Sequence, residues 1–204
     1  MIARCATAFG VAEICLVGSR KFIAFGSHGA IDHVQLRHFS TLQQCCAFLQ
    51  QERGCSVVGV EVGPSAQPVQ LHPFHGPTAF MLGNEGSGLS AEEVTACDSL
   101  VYIPQHGPGT ASLNVAVAAS IVLHHFAVWA GFPERSRTDA KFDVGERPLR
   151  TARRGEVPLT ESERGDERER RRLAKVALAQ QDGVLGGALD CAGFLQESSA
   201  DDAC

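Results

Sequence analysis

Residues 78–90 read Thr-Ala-Phe-Met-Leu-Gly-Asn-Glu-Gly-Ser-Gly-Leu-Ser. The first five form an unbroken apolar run, the pattern of a strand buried on both faces. Leu82 to Ser90 is polar and glycine-rich, so the strand ends in a loop whose backbone can approach a ligand closely. Ser90-x-x-Glu93 then has the capping-box pattern that opens a short helix. A strand, a glycine loop and a helix start in succession are the repeating unit of a parallel α/β layer. Such sheets hold ligands beyond the carboxyl ends of their strands.

The same alternation extends in both directions. Downstream, Ser99–Ile103 reads as a strand, Ile103–Asn114 as a second polar, glycine-rich strand end, and Ser112–Trp129 as the longest helix. Upstream, Cys55–Val62 reads as a strand, preceded by a helix that Ser40-x-x-Gln43 caps and Gly54 ends. Val34–Phe39 alternates like a half-buried strand, Gly18–Ala30 is a loop, and Glu13–Val17 is a strand. Ile2–Phe9 reads as a helix closed by a left-handed Gly10. Strands alternating with helices predict a mostly parallel sheet with helices on both faces.

Charge divides the 204 residues. Residues 1–133 hold five basic and eight acidic side chains, whereas 134–175 hold thirteen and ten. So dense a run of charge buries too little apolar surface to offset its ordering entropy. We therefore expect a domain over 1–133 and a charged tail over 134–204, disordered or loosely helical, with a solvated helix at Glu161–Lys175. The formal charge of −5 provides no bulk attraction to nucleic acid, so a polyanion must be held by a local site.

Eight cysteines with no Cys-x-x-Cys pair argue for buried thiols in a reducing compartment rather than a disulfide or zinc scaffold. His72-Pro-Phe-His75 lacks a nearby carboxylate or thiolate and reads as a surface loop, so no metal site is expected. His124-His125 reads as packed or interfacial. The stretch 111–132 lacks formal charge but contains Asn114 and two histidines, a poor bilayer span. Met1-Ile-Ala-Arg4 runs directly into a helical pattern, leaving no room for a secretory signal. Gly107-Pro-Gly-Thr-Ala-Ser112 echoes a dinucleotide fingerprint, but no following strand ends in the required acid.

FMLGNEGSGLS (80–90), CDSLVYIPQHG (97–107) and SLNVAVAAS (112–120) resemble motifs 2 and 3 of the SpoU/TrmH family of RNA 2′-O-ribose methyltransferases, in the SPOUT superfamily. ARCATAFGV (3–11) resembles the end of motif 1. The resemblance spans about residues 2–130. It implies an α/β knot with a C-terminal trefoil, S-adenosylmethionine as methyl donor, and transfer to a ribose 2′-hydroxyl of tRNA or rRNA. Carried over by motif, Leu82, Gly83, Asn84, Gly86, Ile103, Gly107, Ser112 and Leu113 bind the cofactor. Arg4, Glu85, Ser112 and Asn114 gather at the reacting ribose, with Glu85 paired to Arg4. Because a guanidinium stays protonated, Arg4 orients the nucleotide and stabilises developing alkoxide charge, and the proton leaves to phosphate or water.

The resemblance also implies a homodimer through Ser112–Trp129, a helix apolar on several faces, while the cysteine usage points to an intracellular protein, cytoplasmic or organellar. The family's motif 1 opens with an asparagine six residues before its arginine, beyond a first strand. Here that position falls before Met1, so an incomplete product lacking an interior strand and any targeting segment is expected. A catalytically inactive member, binding cofactor or RNA, is the alternative.

Overall fold

The computed structural model describes residues 1–22, 26–146 and 156–187, without side chains for 177–187. Contacts divide the chain into two units, Met1–Pro158 and Leu159–Cys204. The first opens with α1 (Ile2–Ala8), after which Gly10 turns at φ +71°, the left-handed value that glycine adopts without steric cost. β1 (Glu13–Val17) and β2 (Gln35–Phe39) pair in parallel, Glu13 opposite Gln35 through Val17 opposite Phe39. Glu13 accepts from Arg37 at 2.9 Å and Arg53 at 3.1 Å, and both guanidinium groups lie over the Phe48 ring. Two of the domain's few arginines therefore serve the framework.

α2 (Leu42–Ala47) is capped by Thr41, whose Oγ1 accepts from the Gln44 amide at 3.3 Å. The expected Ser40–Gln43 box is thus corrected by one residue. Thr41 holds the extended backbone that a cap requires (φ −134°, ψ 158°). A π-helical turn, Phe48–Glu52, continues the helix. There follow β3 (Ser56–Val60), β4 (Gln67–Pro68), β5 (Thr78–Leu82), α3 (Ala91–Thr95), β6 (Ser99–Tyr102) and α4 (Val115–Trp129). The Ser90–Glu93 box is formed in both directions. β4 has no counterpart in the sequence reading; two residues, one a proline, carry no periodic signal.

The order β4-β6-β3-β5 is parallel throughout. The expected sheet is therefore present in two pieces, this one and the β1–β2 pair. Flanked by strands on both sides, β3 buries Val57 and Val58. Val58, Val101 of β6, Val69, Phe74 and Val122 of α4 form the core. Phe74 meets Phe80, Phe126 and Trp129 edge-on, with centroids 5.3–5.6 Å apart, a favoured arrangement of aromatic rings. The 72–75 segment is therefore more than a surface loop: His75 is exposed, but Phe74 anchors the core and His72 Nε2 lies 3.1 Å from His125 Nδ1.

α1 lies along α4, with Phe9 edge-on to His124 and Cys5 Sγ 2.9 Å from Ser120 Oγ. Of the six described cysteines, Cys45 and Cys46 are fully buried and four are half-buried, fewer than expected. Cys191 and Cys204 lie outside the described residues. Past Pro133, β7 (Arg137–Thr138) and β8 (Lys141–Phe142) make a hairpin. The buried Val157, past the start of the charged stretch, donates its amide to the Arg20 carbonyl at 3.0 Å.

The second unit contains α5 (Glu161–Gly187), longer than the expected Glu161–Lys175. Thr160 and Glu163 cap its start reciprocally. Arg171–Glu167 and Arg172–Glu169 pair one turn apart, each at 2.8 Å, the spacing at which helical charges meet. The acidic end, 198–202, lies outside the described residues.

Candidate functional site

Both glycine-rich loops leave carboxyl ends of the four-stranded sheet, the first from β5 and the second from β6. The first is pinched. Asn84 and Gly88 exchange backbone hydrogen bonds, each 3.0 Å, leaving Glu85, Gly86 and Ser87 as an exposed tip. Gly83 sits where the two arms touch: a side chain there would lie 2.7 Å from the Leu89 nitrogen and 2.8 Å from the Gly88 α-carbon. Leu89 is 8% exposed and anchors the far arm.

The second loop is open. Gly107 and Gly109, like Gly86 in the first, face free space. Close to α4 it tightens: Thr110 Oγ1 donates to the Ser112 carbonyl at 2.7 Å and accepts from the Ser112 amide at 3.3 Å. Asn114 then caps α4, Oδ1 accepting from the Ala116 amide at 2.9 Å. Its other end reaches the first loop, where Nδ2 donates to Glu85 Oε1 at 2.9 Å. A carboxamide both donates and accepts, so one side chain fixes the helix start and joins the two loops. Asn114 is therefore a helix cap and the link between the two loops at once.

Of the four residues expected at the reacting ribose, the structure joins Glu85 and Asn114. Ser112 is exposed two residues from Asn114. Arg4 is exposed on α1, and no ion pair between it and Glu85 is recorded among the described residues. Within one chain the partner of Glu85 is Asn114. Leu82, Gly83, Ile103 and Leu113 are half-buried, while Asn84, Gly86 and Gly107 are exposed.

The sequence reading missed Glu61, directly after β3. Its Oε2 accepts from the Leu89 amide at 2.9 Å and its Oε1 from the Val62 amide at 3.0 Å. A side chain on Gly88, which has φ +67°, would strike this carboxylate. A lone acid near the carboxyl end of an otherwise apolar strand run, Cys55–Val62, was the available signal. Among the described residues, no group of three or more histidine, cysteine, aspartate or glutamate side chains is placed to hold a metal ion. No helix among them is long and apolar enough to cross a membrane.

The chain is similar to known proteins over this region. The chain is 30% identical over 129 residues to a 23S rRNA (guanosine-2′-O-)-methyltransferase of Acinetobacter baylyi, covering 59% of this chain and 50% of that protein. It is 40% identical over 127 residues to the human mitochondrial rRNA methyltransferase 1, covering 54% of this chain and 35% of that protein. Thus it spans half the length of the first and about a third of the second. Among solved structures it resembles the TrmH/SpoU tRNA modifying enzyme of A. aeolicus, with a TM-score of 0.56 and 26% identity over 64% of this chain and 67% of that one. The model of the SpoU rRNA Methylase family matches residues 1–124, the span that contains both glycine loops and the Glu85–Asn114 contact, and the chain belongs to that family.

Proposed function

We propose that this chain transfers a methyl group from S-adenosylmethionine to a ribose 2′-hydroxyl of rRNA or tRNA. The Glu85–Asn114 hydrogen bond carries the reading, because it joins two glycine-rich strand-end loops into one site in a member of this family. The relatives named as guanosine-2′-O-methyltransferases support the reaction type. The loops fit the methyl donor: their glycines leave backbone donors and acceptors uncovered, and three of them face free space. Leu82, Gly83, Asn84 and Gly86 from the first loop, Ile103 and Gly107 from the second, and Ser112 and Leu113 before α4 would hold it. When bound, it supplies an electrophilic methyl group on a sulfonium.

The chain's own residues orient the acceptor. A hydroxyl is a weak nucleophile, and fixing it in attack geometry lowers a barrier by up to about 7–11 kcal/mol in favourable systems. Asn114 is held at both ends and so holds Glu85 in one position, while Ser112 adds a hydroxyl beside them. Arg4 supplies a guanidinium that stabilises negative charge developing on the ribose oxygen. The proton leaves to phosphate or water.

We also propose residues 1–133 as the catalytic domain, 134–204 as an accessory tail, a knotted arrangement of the loops, and a homodimer through Ser112–Trp129. Val117 and Val128 on α4, 47% and 58% exposed, support the dimer, since association would cover them. An intracellular setting, cytoplasmic or organellar, accords with free thiols at the six described cysteines. The test is transfer of radiolabelled methyl from S-adenosylmethionine to total tRNA and rRNA, with ribose-methyl mapping. Labelling that Asn114→Ala abolishes is expected. Calorimetric binding of S-adenosylmethionine without transfer to any RNA would instead establish an inactive binding module.

A further inference from the structure

Glu61 stands outside both loops, yet its carboxylate is committed to one of them. Oε2 accepts from the Leu89 amide at 2.9 Å, and Oε1 accepts from the Val62 amide at 3.0 Å. The Glu61 backbone is itself fixed, donating to the Val101 carbonyl of β6 at 3.0 Å. Hydrogen bonds to an ionised acceptor are roughly twice as strong as neutral ones. The carboxylate thus ties the far arm of the first loop to the centre of the sheet.

The adjoining glycines follow from this contact. Gly88 has no side chain where one would meet the Glu61 carboxylate. With Gly88 drawn against it, the reciprocal 3.0 Å hydrogen bonds between Gly88 and Asn84 close the loop, and Gly83 packs against the Gly88–Leu89 backbone. On the other side, Leu89 is buried beside Gly59 of β3. A continuous set of contacts therefore runs from β3 through Glu61 and Leu89 to Gly88, Asn84 and Gly83.

We propose that Glu61 is a positioning residue: its carboxylate sets the conformation of loop 83–89 and thereby the affinity of the site for S-adenosylmethionine, without touching that molecule. The cofactor part rests on the function proposed above. Gln at 61 keeps one carbonyl acceptor and loses the other, whereas Ala loses both. The order wild type, Glu61→Gln, Glu61→Ala is therefore expected in both loop protection and affinity.

Two measurements on the full chain test this. Amide hydrogen exchange without ligand should show 83–90 exchanging about tenfold or more faster in Glu61→Ala, while β6 and α4 keep wild-type rates. Calorimetry with S-adenosylmethionine should show affinity weakened by about tenfold or more, the equivalent of one charge-assisted hydrogen bond. Glu61→Gln should fall between, which keeps the test alive if the alanine variant does not fold. Unchanged exchange at 83–90 in either folded variant would overturn the positioning role. Weakened affinity with unchanged exchange would do so too, because it would make Glu61 a direct ligand. A wild-type chain that binds no S-adenosylmethionine would overturn the proposed function and the cofactor half of this inference, while exchange would still decide whether Glu61 holds the loop.

Discussion

Gly59 lies in β3, buried beneath the first loop. A methyl group added there would sit 2.7 Å from Leu100 Cδ2, 2.9 Å from Cys97 Sγ and 2.9 Å from Leu89 Cδ1. Ordinary contact begins near 3.5 Å, so three neighbours must retreat by about 0.6–0.8 Å at once. They belong to three different segments, β6, the turn before it and the loop arm that Glu61 holds, so no single rotation relieves all three. Overpacking of this kind costs about 1–3 kcal/mol. Taking about 2 kcal/mol, Gly59→Ala should lower the melting temperature by about 4–8 °C in a chain of this size. Displacing Leu89 should also weaken S-adenosylmethionine binding. Differential scanning fluorimetry reads the first effect and calorimetry the second. Cys97→Ala in the same background removes one collision and should recover at least about 0.5 kcal/mol relative to additivity. A Gly59→Ala chain that melts with the wild type, or strict additivity with Cys97→Ala, would refute this account of the packing.

The double role of Asn114 separates stability from function. Asn114→Ala should cost about 0.5–2 kcal/mol through the lost cap, whereas Asn114→Asp keeps the cap acceptor and should melt much closer to the wild type. Both should abolish methyl transfer, since aspartate sets a second carboxylate against Glu85; an active Asn114→Asp enzyme would contradict the assignment. His125 has its pKa lowered by burial first and then by His72 and His124, from an ordinary 6.5. The unfolded chain therefore takes up a proton before the folded one as pH falls below about 6.5. Stability should be full above that pH and decline below it until folded His125 also protonates, and His125→Gln should flatten this dependence in melting curves. The Cys97 thiol is pushed up to about 11 by burial first, then by Cys46, Asp98 and Glu93. At neutral pH it should react with iodoacetamide far more slowly than free cysteine does, because the thiolate is the reactive form; equal rates would contradict its environment.

Local signals were legible where they depend on neighbours a few residues away. The Ser90–Glu93 box needs only a hydroxyl and a carboxylate three positions apart, and the apolar run at 78–82 needs only a sheet on either side. The Ser40 assignment slipped by one residue because Ser40 and Thr41 offer equivalent hydroxyls, and only the backbone shows which one leaves the strand. At Asn114 the chain shows only one polar residue near a helix start; the folded carboxamide both caps that helix and reaches Glu85. His72 was read as loop because its partner, His125, is 53 residues away.

By itself the sequence determined the α/β alternation, the two glycine loops after apolar strands and, through the LGNEG and SLN stretches, the family. These are short-range features, set by side-chain volume, capping chemistry and residue order, which survive without knowledge of what packs against what. Tertiary structure alone decided the strand order β4-β6-β3-β5, the division into two sheets, the Glu85–Asn114 contact across 29 residues and the hold of Glu61 on Leu89 across 28. Those pairings depend on which crossover each connection takes and on the register in which β3 meets its neighbours. A carboxylate finds its amide only after the whole sheet has brought both to one edge.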